Sequence, residues 1–182
     1  LQFGEAKDSH DPHFWFNASL WKKAGIHFAN VYQKLNWEKP ESLQKTLKSF
    51  VMLQDSLHEF ARTQFLNVPQ NKRILITAHD AFAYFSKAYG LKVKSLQGIS
   101  TLSEYGVRDV AELVNYIVAY QIRSVFVESS IPKQSLYAVQ EGCAKKNFKL
   151  NIGEELFSDA LGAKNSPYGT YSGVFIHNVE AV

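Results

Sequence analysis

Cysteine is almost missing from this chain: Cys143 stands alone in 182 residues. No intramolecular disulfide can form and no CxxC pair exists, so Cys143 reads as a small hydrophobe on a helix. Long apolar runs are missing too. None approaches the ~18 residues a bilayer demands, so no membrane span is expected in this chain. Basic runs interleaved with aromatics are also lacking, and 20 Lys and Arg against 17 Asp and Glu leave a formal charge of +3. No nucleic-acid partner is expected from such a surface. The motifs HExxH and GxSxG do not occur, nor does a phosphate-cradling glycine loop, which removes the common signatures of metalloprotease, serine hydrolase and nucleotide-binding enzyme. The first residue is Leu1 rather than Met and no signal segment follows it, so the chain reads as a processed protein or a fragment.

What is present is a core. Hydrophobic residues make up 46% of the chain and thirteen are Phe, enough for a sizeable interior in one or two domains. Residues up to Asp11-Pro12 read as a polar loop, because Pro12 pushes Asp11 out of helical geometry. A helix is expected from Asn17, as N-cap, to about Leu35, with Leu20, Trp21, Ala24, Phe28 and Val31 on one face. Trp37 to Pro40 breaks it. From Glu41 to about Leu66, Leu43, Leu47, Phe50, Leu53, Leu57, Phe60 and Ala61 step in threes and fours. At ~1.5 Å per residue that helix is close to 40 Å long, more than one small lobe needs, and its length suits a brace between two lobes. An ordinary amphipathic packing helix explains the periodicity equally well.

After Pro69 the pattern alternates. Strands are expected at Ile74 to Ala78, Leu91 to Leu96, Ser124 to Glu128 and Phe148 to Ile152. Helices are expected at Ala81 to Tyr89, Val107 to Tyr120, Lys133 to Lys146 and Thr170 to Val182. The fold class is therefore α/β, with about four strands in a parallel sheet flanked by helices.

A parallel sheet opens all its strand ends on one rim, where such folds bind ligands. His79 follows the first strand, Gln97 to Ser100 the second, Glu128-Ser129-Ser130 the third and Glu154 to Asp159 the fourth. His79 admits two readings, a ring presented to the crevice as proton shuttle or metal ligand, and a residue bonded to backbone beside a helix start. Asp80 reads as the N-cap of the following helix. Glu128 is either the acceptor that orients a ligand or a rim carboxylate bonded to backbone. His13, in the cluster Phe14-Trp15-Phe16, is either a sheltered metal ligand or a satisfied core residue, and Pro12 argues against His10 and His13 sharing a helical face. His27, His58 and His177 lie in helical patterns and read as structural or solvated.

Four segments, in order, carry a resemblance: Asp11-Pro12-His13-Phe14-Trp15-Phe16, the stretch from Thr77-Ala78-His79-Asp80 to Ala88-Tyr89-Gly90, Phe126-Val127-Glu128-Ser129-Ser130, and Leu156-Phe157-Ser158-Asp159-Ala160-Leu161-Gly162. Together they closely resemble the substrate-binding receptors of zinc/manganese ABC importers, the TroA-like group of cluster A-I. The resemblance implies two α/β lobes joined by one long helix, with a divalent ion in the cleft between them. Residues 1–40 would then be a remnant of the N-terminal lobe, 41–68 the inter-lobe helix and 69–182 the C-terminal α/β lobe. It implies His13, His79 and Asp159 as metal ligands. A further histidine from an earlier part of the first lobe has no counterpart here, so this chain alone is expected to bind metal weakly.

The implied ion is Zn2+ or Mn2+. Two imidazoles and a carboxylate lean toward zinc, and manganese-selective relatives often carry Glu where His79 stands. The implied protein is not an enzyme. It is a solute-binding protein for metal ion transport, periplasmic or anchored to the outer face of the cytoplasmic membrane, that hands its ion to an ABC permease. A long helix between lobes should permit only small shifts on loading. Because coordination needs neutral imidazole, affinity is expected to fall as pH drops through about 6.5. Two alternatives accompany this reading. One is a metal-dependent hydrolase with His79 and Asp159 around a zinc-bound water and Glu128 or Glu154 as base; the other is a surface adhesin of the same family, with a role in cell adhesion.

Overall fold

The computed structural model describes residues 10–35, 40–99 and 105–182. Most of the opening loop, the break at 36–39 and Ser100 at the rim lie outside the described residues. Helix α1 spans Ala18–Gln33 and starts as expected, with Asn17 Oδ1 accepting the Leu20 N–H at 3.1 Å. Helix α2 spans Pro40–Leu66 and lies along α1. The two approach closely at Gly25, where a Cβ would collide with the Phe50 ring, and Lys22 pairs with Asp55 across them at 2.5 Å.

The buried face of α2 passes through Gln54, Leu57, Ala61 and Phe65. Leu53, expected on that face, is exposed, because a 3.6-residue repeat counted back two turns from Ala61 and three from Phe65 reaches position 54. The stripe expected on α1 is likewise only partly covered: Phe28 is 67% exposed and Val31 is exposed beside it.

Strands β1 (Ile74–Thr77) and β2 (Lys92–Ser95) pair in parallel, as do β3 (Ser124–Val125) and β4 (Asn151–Ile152). A parallel bridge from Thr77 to Phe126 joins the two pairs, so the strands run in the order β2, β1, β3, β4. The third and fourth strands are shorter than expected. Beyond them a second bridge, Glu128 to Leu156, keeps the two chains side by side at the rim.

Alternation along β1 sends neighbouring side chains to opposite faces. Leu75 joins a core with Phe82, Phe85 and Tyr89 of the α3 (Ala83–Tyr89) region and Val174, Phe175 and Val179 of α6 (Tyr171–Ala181), together with Phe16, Ala18 and the buried face of α2. Ile76 joins the other core, with Leu113, Val114 and Ile117 of α4 (Val107–Ala119) and Leu136, Val139 and the buried Cys143 of α5 (Gln134–Ala144). The β1–β2 and β2–β3 connections therefore cover opposite faces. The order of winding reverses between β1 and β3, and a crevice opens at such a switch point, past the carboxyl ends of the strands.

Candidate metal centre

His79 stands two residues beyond β1, at that switch point, and is 1% exposed. Glu128 arrives from the continuation of β3. Its Oε1 accepts the His79 backbone N–H at 2.9 Å and its Oε2 lies 2.5 Å from His79 Nδ1. A carboxylate only accepts, so Nδ1 carries the hydrogen and Nε2 is left to face the crevice. Glu128 thus faces one residue with both oxygens, Oε1 in a hydrogen bond to its backbone and Oε2 in a close ion-pair contact with its ring.

His13 repeats the arrangement on a loop. Asp11 Oδ1 accepts from both the His13 backbone N–H (2.9 Å) and Nδ1 (2.7 Å), so Nε2 again faces outward from the pair. The loop is tied down by Trp15: its Nε1–H donates to the Ser158 carbonyl at 2.7 Å, while its own carbonyl accepts the Tyr171 hydroxyl at 2.6 Å. The Trp15 ring also meets His13 edge-on at 5.2 Å.

Asp159 lies three residues past the Glu128–Leu156 bridge. Its Oδ1 is 3.4 Å from His13 Nε2 and its Oδ2 is 3.4 Å from His79 Nε2. One donor atom from each of His13, His79 and Asp159 falls within a 4.8 Å span. The two rings stand 5.4 Å apart at 78°. The same Oδ2 also meets Ser130 Oγ at 3.1 Å and Ser158 Oγ at 3.3 Å.

Burial disfavours a charged His13, but the Asp11 and Asp159 carboxylates outweigh it and raise its pKa from 6.5 to about 9. His79 behaves alike: burial opposes its charge, and Asp159 and Glu128 lift it to about 9. In return the two rings hold Asp159 well below the usual carboxylate range. Both shifts favour a proton on each ring in the metal-free site, so proton competition with a metal is expected to begin above 6.5.

The other expectations sort plainly. His10 and His27 are exposed, His58 approaches the Tyr89 hydroxyl at 3.4 Å, and His177 Nε2 lies 2.7 Å from the Glu155 carbonyl. Glu154, 3.9 Å from His177, stands outside the group. Asp80 is not a helix cap. The Ala81 N–H turns back to the His79 carbonyl, α3 begins only at Ala83 with Phe82 in the cap position, and burial together with the Asp11 charge raises the Asp80 pKa. The sequence reading missed Asp11 as a partner of His13, although an acid two residues before a histidine is a visible signal. It placed Ser130 and Ser158 on the rim without reading their contacts with Asp159, and it missed Tyr171, whose role depends on a contact across 156 residues to Trp15.

The family model described as zinc-uptake complex component A periplasmic, ZnuA, matches residues 2–182. The manganese-binding lipoprotein MntA of Bacillus subtilis is 42% identical over 98% of this chain and 58% of its own length. The zinc-binding protein TroA of Treponema pallidum is 37% identical over 94% of the chain and 56% of its own. The solved structure of that periplasmic zinc-binding protein superposes with a TM-score of 0.93 at 35% identity, covering 99% of this chain and 65% of the other. More distant, at 26% identity, is the iron ABC transporter substrate-binding lipoprotein MtsA of Streptococcus pyogenes. The chain thus spans less than three fifths of the length of these curated relatives. Matched almost from end to end by the family model, it belongs to the ZnuA family of zinc-uptake, periplasmic component A proteins.

Proposed function

We propose that this chain is part of an extracytoplasmic receptor that captures a divalent metal ion through His13, His79 and Asp159 and delivers it to the permease of an ABC importer. The carrying observation is spacing. Two donors bonded to one zinc at about 2.0 to 2.1 Å and a tetrahedral angle stand about 3.3 Å apart, close to the 3.4 Å from Asp159 Oδ1 to His13 Nε2 and the 3.4 Å from Asp159 Oδ2 to His79 Nε2. Two imidazoles and a carboxylate suit Zn2+, with Mn2+ as the other candidate. Relatives named for manganese, zinc and iron support a divalent transition metal as the cargo.

In this reading residues 1–40 belong to the first lobe, 41–68 form the inter-lobe helix and 69–182 form the second lobe. The whole protein works outside the cytoplasmic membrane, free or anchored, as the names of its relatives suggest. Among the described residues no helix is long and apolar enough to cross a membrane. Hydrolysis is a poorer account, because a general base must reach a water at the ion, and Glu128 is buried against His79 Nδ1, on the opposite edge of the ring from the Nε2 that faces Asp159. The test is a competitive titration of the full chain with zinc and manganese. One ion should bind per chain, and His13→Ala, His79→Ala or Asp159→Ala should each lower zinc affinity by more than about 100-fold, beyond the range seen on losing a group that merely supports a ligand. Unchanged binding in all three variants would end the proposal.

A further inference from the structure

We infer that the hydroxyls of Ser130 and Ser158 set how Asp159 presents itself to the ion and tilt the centre toward zinc over manganese, an inference that rests on the receptor reading above. Ser130 Oγ and Ser158 Oγ lie 3.1 and 3.3 Å from Asp159 Oδ2 and 2.8 Å from each other. Neither is bonded to Oδ1. Two hydroxyl hydrogens serve three contacts, so every arrangement that uses both in this network delivers at least one of them to Oδ2.

The backbones that carry these hydroxyls are anchored. The Ser158 carbonyl accepts the Trp15 indole N–H at 2.7 Å, and the Ser129 N–H donates to the Leu156 carbonyl at 2.9 Å. Oδ2 also faces His79 Nε2 at 3.4 Å, so both oxygens are within reach of an ion between the rings; hydrogen bonds on Oδ2 alone reduce its donor strength and fix the plane of the group, leaving Oδ1 as the better metal donor. A carboxylate held to one oxygen suits four-coordinate zinc. One free to use both adds the extra oxygen that manganese favours. The serines thus act as positioning residues through Asp159.

Ser130 is exposed, so its replacement does not threaten the fold. Zinc and manganese affinities of the full chain should be measured by competition against a chelating indicator for the unaltered protein, Ser130→Ala, Ser158→Ala, the double variant and Ser130→Thr. The zinc-to-manganese affinity ratio should fall about tenfold in the double variant, within the range for groups that orient a ligand. Ser130→Thr, which keeps a hydroxyl, should stay near the starting ratio. Cobalt-loaded double variant should show weaker visible d–d absorption than cobalt-loaded unaltered chain, the sign of a raised coordination number. If the unaltered chain binds neither zinc nor manganese even weakly, the receptor reading fails and takes this inference with it. If it binds both, and the ratio and cobalt spectrum are unchanged in the double variant, the inference alone is overturned.

Discussion

His13 sits on the loop ahead of α1, and the carboxylate that holds its ring, Asp11, is two residues away; His79 sits past the end of β1, and its carboxylate, Glu128, is 49 residues away. In both places one acid accepts a backbone N–H and lies against the ring Nδ1, and both rings are raised to about 9. The chemistry is duplicated while the scaffolding differs. A turn of three residues suffices for the first pair, but that turn then has to be fastened to the rest of the molecule, which Trp15 and Tyr171 do. The second pair needs no fastening, because the sheet that brings Glu128 to His79 is itself the anchor. Equivalent ligands can thus rest on unequal supports, and the inequality should be measurable.

The widest effect expected is on pH dependence. If both rings are held protonated in the metal-free chain, each must lose its proton to coordinate, so zinc affinity should rise up to ~100-fold per pH unit through the neutral range. Calorimetric titration in buffers of different ionisation enthalpy should show close to two protons released per zinc near neutral pH; one proton would mean that only one histidine is held charged. The same shifts act on stability. A folded-state pKa raised from 6.5 to about 9 stabilises the fold fully below the lower value and is lost as pH rises through the higher one. The metal-free chain should therefore melt at progressively lower temperature across that window, while the stabilisation conferred by added zinc grows.

Next come the carboxylates. Asp11→Asn and Glu128→Gln should each lower zinc affinity by roughly 10- to 100-fold, because an amide nitrogen opposite Nδ1 favours the tautomer with its hydrogen on Nε2. Glu128→Gln should lower the melting temperature more, since Glu128 ties β3 to β1 whereas Asp11 acts within its own turn. Equal losses of stability would erase the distinction between local and long-range support. The smallest effect belongs to the fastening. Tyr171→Phe removes the donor to the Trp15 carbonyl and should cost about 1 kcal/mol, a fall of roughly 2 to 4 °C in melting temperature for a chain of this size, with a mild loss of zinc affinity assigned to His13. A larger loss at His79 would show that the two sides are not independent.

Much of this was legible in the residues. The Asn17 cap, the length of α2, the stripe on α4 and the alternation of strand and helix after Pro69 follow from periodicity and cap chemistry, which act within a few residues. The three candidate ligands were legible too, though for His13 and His79 the bare pattern left a structural reading open, and the family resemblance decided between them. The misreadings lie where neighbours in space overrule neighbours in sequence. Asp80 has the composition and position of a cap, yet the chain turns at Ala81 and carries it toward Asp11 instead. Phe28 and Val31 repeat at helical spacing, but spacing says which face is apolar and not whether anything covers it.

By itself the sequence determined which segments become helix or strand, that the sheet is parallel, and which side chains reach its carboxyl rim, because these follow from patterns of two to four residues and from the handedness of the crossover. Only the tertiary structure decided that winding reverses between β1 and β3, that Glu128 meets His79 there, and that Asp159 stands 3.4 Å from each of two rings carried on segments far apart in the chain. Such separations are set by how layers pack around two cores, and a pK near 9 exists only once the carboxylates have been brought together around buried imidazoles.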